Sequence, residues 1–405
     1  MRYRLARLAS AYGRVLLLAA IGVPVGALVG VATTVFGRVL ALVDGVREAH
    51  ALALVPFLAA GGALVAWAYR RWGGKAARGM GLVFDVGHGE EDGVPLRLVP
   101  LTMASTWVSH LFGGSVGREG VAVQIGAAIS DWMGHHLPLK EHGNDFLVCG
   151  MAAGFAGLFQ TPLAACAFAL EALVAGRLEY HALACSLTAA LTASATSAAL
   201  GLPHASVPLD MGLALDVPTL CRLAALGVAF GLAGGLFAWG LGAAKRQASR
   251  VSSPTVRIVA GGAALSVLLL ALWGGRYCGL GTNLAEMALA GGGEGIMPWD
   301  WLLKGLLTIA TLSVGFQGGE VTPLFSIGAS LGAVLAGLVG MPVPVVAALG
   351  YAAVFGAATN TLLAPVLIAG EIFGFANLPA FVVVCAVSYL FSLEASIYKQ
   401  GRAGR

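Results

Sequence analysis

The chain has 405 residues, of which 58% are apolar and 11% charged, with a mean hydropathy of +0.85 and a formal net charge of +4. Soluble domains carry roughly 25% charged residues, so a water-soluble globule is excluded and the length divides into membrane spans of about 20 residues each. The small basic surplus sits largely in loops and tails, where it sets orientation; no nucleic-acid motif is present and no nucleic-acid partner is expected.

Residues 1–14 are basic, and no short apolar core with a cleavage site follows them, so no signal peptide is expected. Apolar runs at 15–42 and 51–68 are each long enough to cross a bilayer, with a polar loop holding Asp44, Arg47 and Glu48 between them. Arg70, Arg71, Lys75 and Arg78 follow, and the tail YKQGRAGR is basic too. Basic segments favour the cytoplasmic side, which gives a multi-pass protein of the cell (inner) membrane with both termini in the cytoplasm. Residues 78–91 read as a glycine-bounded turn. Further apolar segments lie at 98–112, 119–133, 146–159, 161–175, 182–200, 220–242, 258–273, 301–316, 321–339, 343–358, 362–373 and 378–393. Many are shorter than a full span, the mark of transporters whose broken helices meet at the bilayer midplane. The expected class is an all-α polytopic membrane protein.

The 58 glycines are about twice ordinary usage. They fit close helix packing, although a biased genome composition contributes to the same excess. Six scattered cysteines form no CxxC pair and read as packing residues, neither a disulfide framework nor a zinc site. His135, His136 and His142 share one polar loop, read as solvated rather than metal-binding. No cofactor or metal is expected, and with no HExxH and no recognisable nucleophile motif the chain is not read as an enzyme.

The stretch GGSVGREGVAVQIGA, at 113–127, organises the rest. Glu119 lies in a glycine-bounded turn directly before an apolar helical run, and an ionisable group within such a run is a functional hypothesis by default. The helix that follows would aim its N-terminal amides back at the turn and form an anion site. An internal repeat supports a two-part design. Shifted by 200, residues 153–171 fall on 353–371 without a gap, and seven of nineteen positions agree, among them Phe155/Phe355, Thr161/Thr361, Leu163/Leu363 and Glu171/Glu371. With one residue of slip, GRE at 117–119 falls on GGE at 318–320. The expected halves are 1–205 and 206–405. The residues alone do not fix the sense of the repeat.

GGSVGREG (113–120) resembles the GREGP segment of the CLC anion channels and transporters. GLFQTPLAACAFALE (157–171) resembles their helix with N-x-P-L-A-G that ends in glutamate, GGEVTPLF (318–325) their second-half G-x-F-x-P segment, and LEASIYKQ (393–400) the stretch with the pore tyrosine. The matches are in order and span most of the chain. The departures resemble the fluoride/proton antiporter branch. Met80 stands where chloride-handling relatives carry a serine, Val121 replaces the proline of GREGP, Glu320 and Thr322 lie in the second-half segment, and Ala172 replaces an internal glutamate. Fluoride members tend to place phenylalanines after the methionine turn, whereas this chain has Phe84 flanked by Val83 and Val86.

The resemblance implies a CLC-like fold of two inverted repeats with short, tilted and broken helices, a homodimer, and export of fluoride in exchange for protons. A chloride/proton exchanger or chloride channel of the same fold is the alternative. Glu119 is the expected gate: ionised, it imitates an anion; protonated, it leaves the site. The bland reading pairs it structurally with Arg118. Glu320 would share a proton with Glu119, or merely cap the helix near Thr322. Thr322 either donates to the anion or caps. Tyr398 either donates its phenol or belongs to an interfacial belt. Met80 either shapes the anion path or packs, and Phe84 either presents its ring edge or packs. Gly81, Gly117, Arg118, Gly120 and Val321 complete the expected anion-binding set. Glu171 and Glu371 are expected to end helices or face a vestibule.

Overall fold

A computed structural model describes residues 2–137, 143–204, 206–209, 212–291 and 295–402. The first part of the chain forms α1 (Arg2–Ala49), α2 (Ala51–Leu54), α3 (Leu58–Ala68), α4 (Met80–Gly87), α5 (Leu98–Leu111), α6 (Glu119–His136), α7 (Gly143–Phe159), α8 (Pro162–Ala172) and α9 (Leu183–Ala199). The second forms α10 (Val217–Ala248), α11 (Pro254–Ala271), α12 (Thr282–Leu289), α13 (Asp300–Val314), α14 (Val321–Val339), α15 (Val343–Thr359), α16 (Leu363–Phe373) and α17 (Leu378–Leu390). Among the described residues the strand content is one parallel pairing, Val174 with Gly401 and Ala175 with Arg402.

Among the long helices α1, α10 and α11 are largely exposed, whereas α14 is mostly buried with the shorter helices of the middle. Residues 15–49, 217–248, 254–271 and 321–339 are among the segments long and apolar enough to cross a membrane. The shorter α7 and α15 are apolar all round and buried along 145–159 and 345–359, as expected of helices enclosed by others. Lipid tails offer helices no hydrophobic gain over one another, so close contact must hold them together. Gly126 and Gly328 show how: a Cβ on either would stand 2.0 Å from the carbonyl oxygen of Gly150 or Gly350 on the neighbouring helix. The expected repeat reaches the backbone. α7 and α15 are each ended by a left-handed residue, Gln160 (φ 57°) and Asn360 (φ 54°), 200 positions apart. Phe155 and Phe355 both stack near Phe168, with ring centroids 5.3 and 6.2 Å away.

The inverted sense of the repeat is visible in how α8 and α16 hold each other. Glu171, in the last turn of α8, accepts the amides of Leu363 (2.8 Å), Ala364 (3.0 Å) and Leu362 (3.3 Å) at the start of α16. Glu371, in the last turn of α16, accepts those of Ala164 (2.9 Å) and Leu163 (3.0 Å) at the start of α8. Contacts that exchange in this way require a two-fold relation. They also refine the sequence reading: these glutamates lie at the ends of their own helices, as expected, and from there satisfy the orphan amides of the opposite helix.

Three local expectations are corrected. The polar loop at Asp44–Glu48 is helical, because buried Arg47 pairs with Asp44 and, at 2.8 Å, with Glu48, while Asp44 also meets His110 Nδ1 at 3.0 Å. Partners there replace water. The turn at 78–91 contains α4, and α12 had no counterpart in the sequence reading.

Candidate functional site

Two chain reversals meet inside the fold, one ahead of α6 and one ahead of α14. They pair antiparallel at one step: Gly117 N–H donates to Gly319 O at 2.5 Å and Gly319 N–H to Gly117 O at 2.7 Å. Side chains would prevent this. A Cβ on Gly117 would stand 2.7 Å from Pro323 Cδ, and one on Gly319 2.9 Å from Gly120 N. Under the first reversal lies Lys304 of α13, fully buried. Its Nζ donates to Ser115 Oγ (2.9 Å), Gly279 O (2.6 Å) and Tyr277 O (3.1 Å), and Ser115 Oγ meets Thr308 Oγ1 at 2.9 Å. A buried amine with all its hydrogen bonds met in this way fixes the loop against its scaffold.

Glu119 opens α6 and is wholly buried. Its carboxylate reaches across the pairing to α14: Oε2 accepts the Thr322 amide at 3.1 Å and also the Thr322 hydroxyl. The Arg118 Nε lies 3.3 Å from Oε1. The expected amide cradle therefore exists, with the second residue of α14 as its shorter amide donor and the Arg118 amide, just ahead of α6, as a longer one at 3.4 Å. The unsatisfied amides and the dipole of a helix start favour negative charge, and here a carboxylate occupies that position. The Arg118 pair of the bland reading is present too, as a longer contact beside the α14 contacts.

Glu320 directly precedes α14, yet its side chain makes no capping bond. It faces a cavity of about 320 Å³ that is also lined by Met80, Gly81, Phe84, Gln124, Lys245 and Tyr398. Lys245 Nζ lies 3.5 Å from Glu320 Oε1. A Cβ on Gly120 would stand 3.6 Å from Glu320 Oε2 and 3.7 Å from Met80 Cε, which fixes the three as neighbours. Tyr398 is buried, not interfacial. Its ring stacks on Phe84 (5.2 Å, 17°), and its hydroxyl has no hydrogen-bond partner among the described residues. Val83 and Val86 are buried and do not line this cavity. Ala172 is fully buried.

The residues expected from the sequence thus fall into two adjoining groups. Glu119, Thr322, Gly117, Arg118, Gly120 and Val321 surround the crossing of the two reversals, while Met80, Gly81, Phe84, Glu320 and Tyr398 line the cavity. Sequence reasoning missed Lys245 at the end of α10, and Gln124, whose buried Oε1 has no partner among the described residues. Gln124 lies four residues after Gly120, on the same face of α6, a spacing that could have found it. Nothing local marks Lys245. Also missed was Asp85, buried on α4, which pairs with Arg78 and, at 2.8 Å, with Lys399. It ties the 74–79 segment and the tail to the helix that carries Met80 and Phe84. Outside the helices, Lys399 also bonds Glu90 and holds its carboxyl below the usual range. No cluster of three metal-ligating side chains occurs among the described residues, and His142 lies outside them.

A family model described as voltage gated chloride channel matches residues 61–393. The chain is 38% identical over 372 residues, 88% of this chain and 80% of the relative, to a chloride/fluoride channel protein of Pseudomonas syringae pv. tomato. It is 30% identical over 239 residues, 54% of this chain and 49% of the relative, to an H(+)/Cl(-) exchange transporter of Cronobacter sakazakii. Among solved structures, a CLC-type fluoride/proton antiporter superposes with a TM-score of 0.94 at 48% identity, covering 96% of this chain and 98% of that one. A slow cyanobacterial Cl-/H+ antiporter shares the fold, with a TM-score of 0.74 at 20% identity over 94% of each chain.

Proposed function

We propose, on the premise that this chain belongs to the CLC family of voltage gated chloride channels and related transporters, that it exports fluoride in exchange for protons, with Glu119 as the proton-coupled gate. The chain is an integral membrane protein of an anion- and proton-transporting family. The finer reading rests on one observation: a fully buried carboxylate takes the amide and hydroxyl of Thr322 at a helix start, where an anion would be held. Ionised Glu119 and fluoride compete for that place. A proton removes the carboxylate's charge, weakens its hold on the helix start, and frees the donors for fluoride. Return of the ionised carboxylate expels the anion. Coupling follows because one site cannot hold both.

Glu320 is the second carboxylate in this reading, close enough to Gly120 to take the proton onward in place of the acid missing at Ala172. Thr322 and Tyr398 donate to the anion, and Met80 replaces a hydroxyl donor that would suit chloride. The protein works as a homodimer in the cell membrane with both termini in the cytoplasm, built from halves 1–205 and 206–405.

The test is flux from liposomes loaded with fluoride or chloride, with external pH recorded. Fluoride efflux with opposing proton uptake and little chloride efflux is expected, and Glu119→Gln should abolish the proton movement. Vigorous proton-coupled exchange in Glu119→Gln would remove the gate. Chloride efflux as fast as fluoride would move the protein to a chloride exchanger or channel of the same fold.

A further inference from the structure

A second cavity, of about 470 Å³, opens between the end of α3, the last turn of α10, the start of α11 and the end of α13. Its lining carries three cations, Arg70, Lys245 and Arg257, and no acidic residue. Among the described residues neither Arg70 nor Arg257 has a carboxylate partner; Arg257 Nε donates to the Val314 carbonyl at 3.2 Å, and Lys245 has only its 3.5 Å contact with Glu320. Below the cations the wall is apolar, with Val65, Ile258 and Val314.

The neighbouring surface sets the depth of this cavity. Trp67 and Trp72 flank it on the chain, roughly half exposed (49% and 47%), and pack edge to face at 5.0 Å. Exposed tryptophans gather at the level of lipid headgroups. On α3 and α11 the exposed Leu64, Val267 and Leu268 continue away from the cations, as a surface bathed in acyl chains would. A site with three cations at headgroup level, two of them without a carboxylate partner among the described residues, and an apolar wall leading into the hydrocarbon matches an amphiphile with an anionic head. A small free anion would have no use for the apolar wall.

We propose that this cavity binds an anionic phospholipid, with Arg70, Lys245 and Arg257 holding its phosphate and the apolar wall its acyl chains. Basic pockets between membrane helices suit such headgroups. The assignment does not depend on the transported ion. The site nevertheless adjoins the candidate path, because Lys245 lines both cavities.

Native mass spectrometry of delipidated protein, titrated with dioleoylphosphatidylglycerol or dioleoylphosphatidylcholine, tests it. The phosphatidylglycerol should bind preferentially. Each basic group near an anionic lipid is worth about fivefold, so Arg70→Gln with Arg257→Gln should weaken its binding roughly thirtyfold. Arg70→Lys with Arg257→Lys should retain most of it, and this second variant keeps the test open if the glutamine pair does not fold. Equal binding of the two lipids would overturn the proposal, as would unchanged phosphatidylglycerol binding in the glutamine variant. Displacement of the lipid by millimolar inorganic phosphate alone would assign the cations to a free anion and overturn the lipid as occupant. None of these readouts involves transport, so failure here and failure of the antiporter reading are separable.

Discussion

Thr322→Val separates the gate from the helix start with the least disturbance. Valine has nearly the shape of threonine and keeps the backbone amide, which still reaches Glu119 Oε2 at 3.1 Å. Only the hydroxyl donor to that oxygen is lost. A hydrogen bond to a charged group contributes about 1.5–3 kcal/mol, so the seated carboxylate should be held about one to two orders of magnitude less tightly. An incoming anion loses the same donor, and affinity alone is therefore a poor readout. The informative quantity is the number of protons moved per fluoride. A loosely held carboxylate leaves its place without being protonated more often, and fluoride then passes without a counter-moving proton. A fluoride electrode and a pH electrode on the same liposome suspension should show proton coupling falling in Thr322→Val and kept in Thr322→Ser, which restores the hydroxyl. Wild-type coupling and rate in Thr322→Val would refute the argument that this hydroxyl holds the gate closed.

Glu171→Gln and Glu371→Gln should each lose the charge that satisfies the opposite helix start, at a cost of about 1–2 kcal/mol apiece; unfolding temperatures in detergent should fall by similar amounts, and sensitivity in only one would contradict the two-fold relation. Met80→Ser should raise chloride efflux relative to fluoride in the same liposomes, whereas unchanged selectivity would return Met80 to packing against Gly120. Gly319→Ala brings a Cβ to 2.9 Å from Gly120 N and 3.3 Å from Arg118 N. It should open the paired reversals and abolish coupled transport in protein that still elutes as a discrete peak on gel filtration; normal coupled flux would show that the pairing is dispensable.

The spans were legible because bilayer-crossing helices must be apolar, and the order of apolar runs matches the order of helices. α4 was hidden by its own glycines: Gly79 and Gly81 argue for a turn, whereas Gly79, at φ 53°, starts a helix whose later turns are buried. Asp44 and Arg47 looked like a solvated loop because sequence cannot show that Arg47 and His110 stand in for water. Glu119 stood out for lying at the edge of an apolar run. Its partner did not, because the Thr322 amide is 203 positions away and belongs to the other part of the fold. The same holds for Glu171 and Glu371. Their alignment was visible, but pairing each with the other's helix start needs the third dimension.

The two matched pairs of glutamates behave differently, and the difference bears on mechanism. Glu171 and Glu371 are exchanged caps, each with both carboxylate oxygens engaged by backbone amides of the opposite helix. Glu119 and Glu320 occupy equivalent turns but break the symmetry. Glu119 takes the start of α14 through the Thr322 amide and hydroxyl, and Arg118 reaches it as well, through its amide at 3.4 Å and its Nε at 3.3 Å. Glu320 does not take the start of α6; it turns to the cavity, where its partner among the described residues is Lys245 at 3.5 Å. A carboxylate seated at a helix start can be displaced by an anion that offers the same charge. A second carboxylate left outside the cradle remains free to carry the proton. On the proposed reading, the repeat supplies two helix starts and two acids, and exchange becomes possible because only one acid is seated.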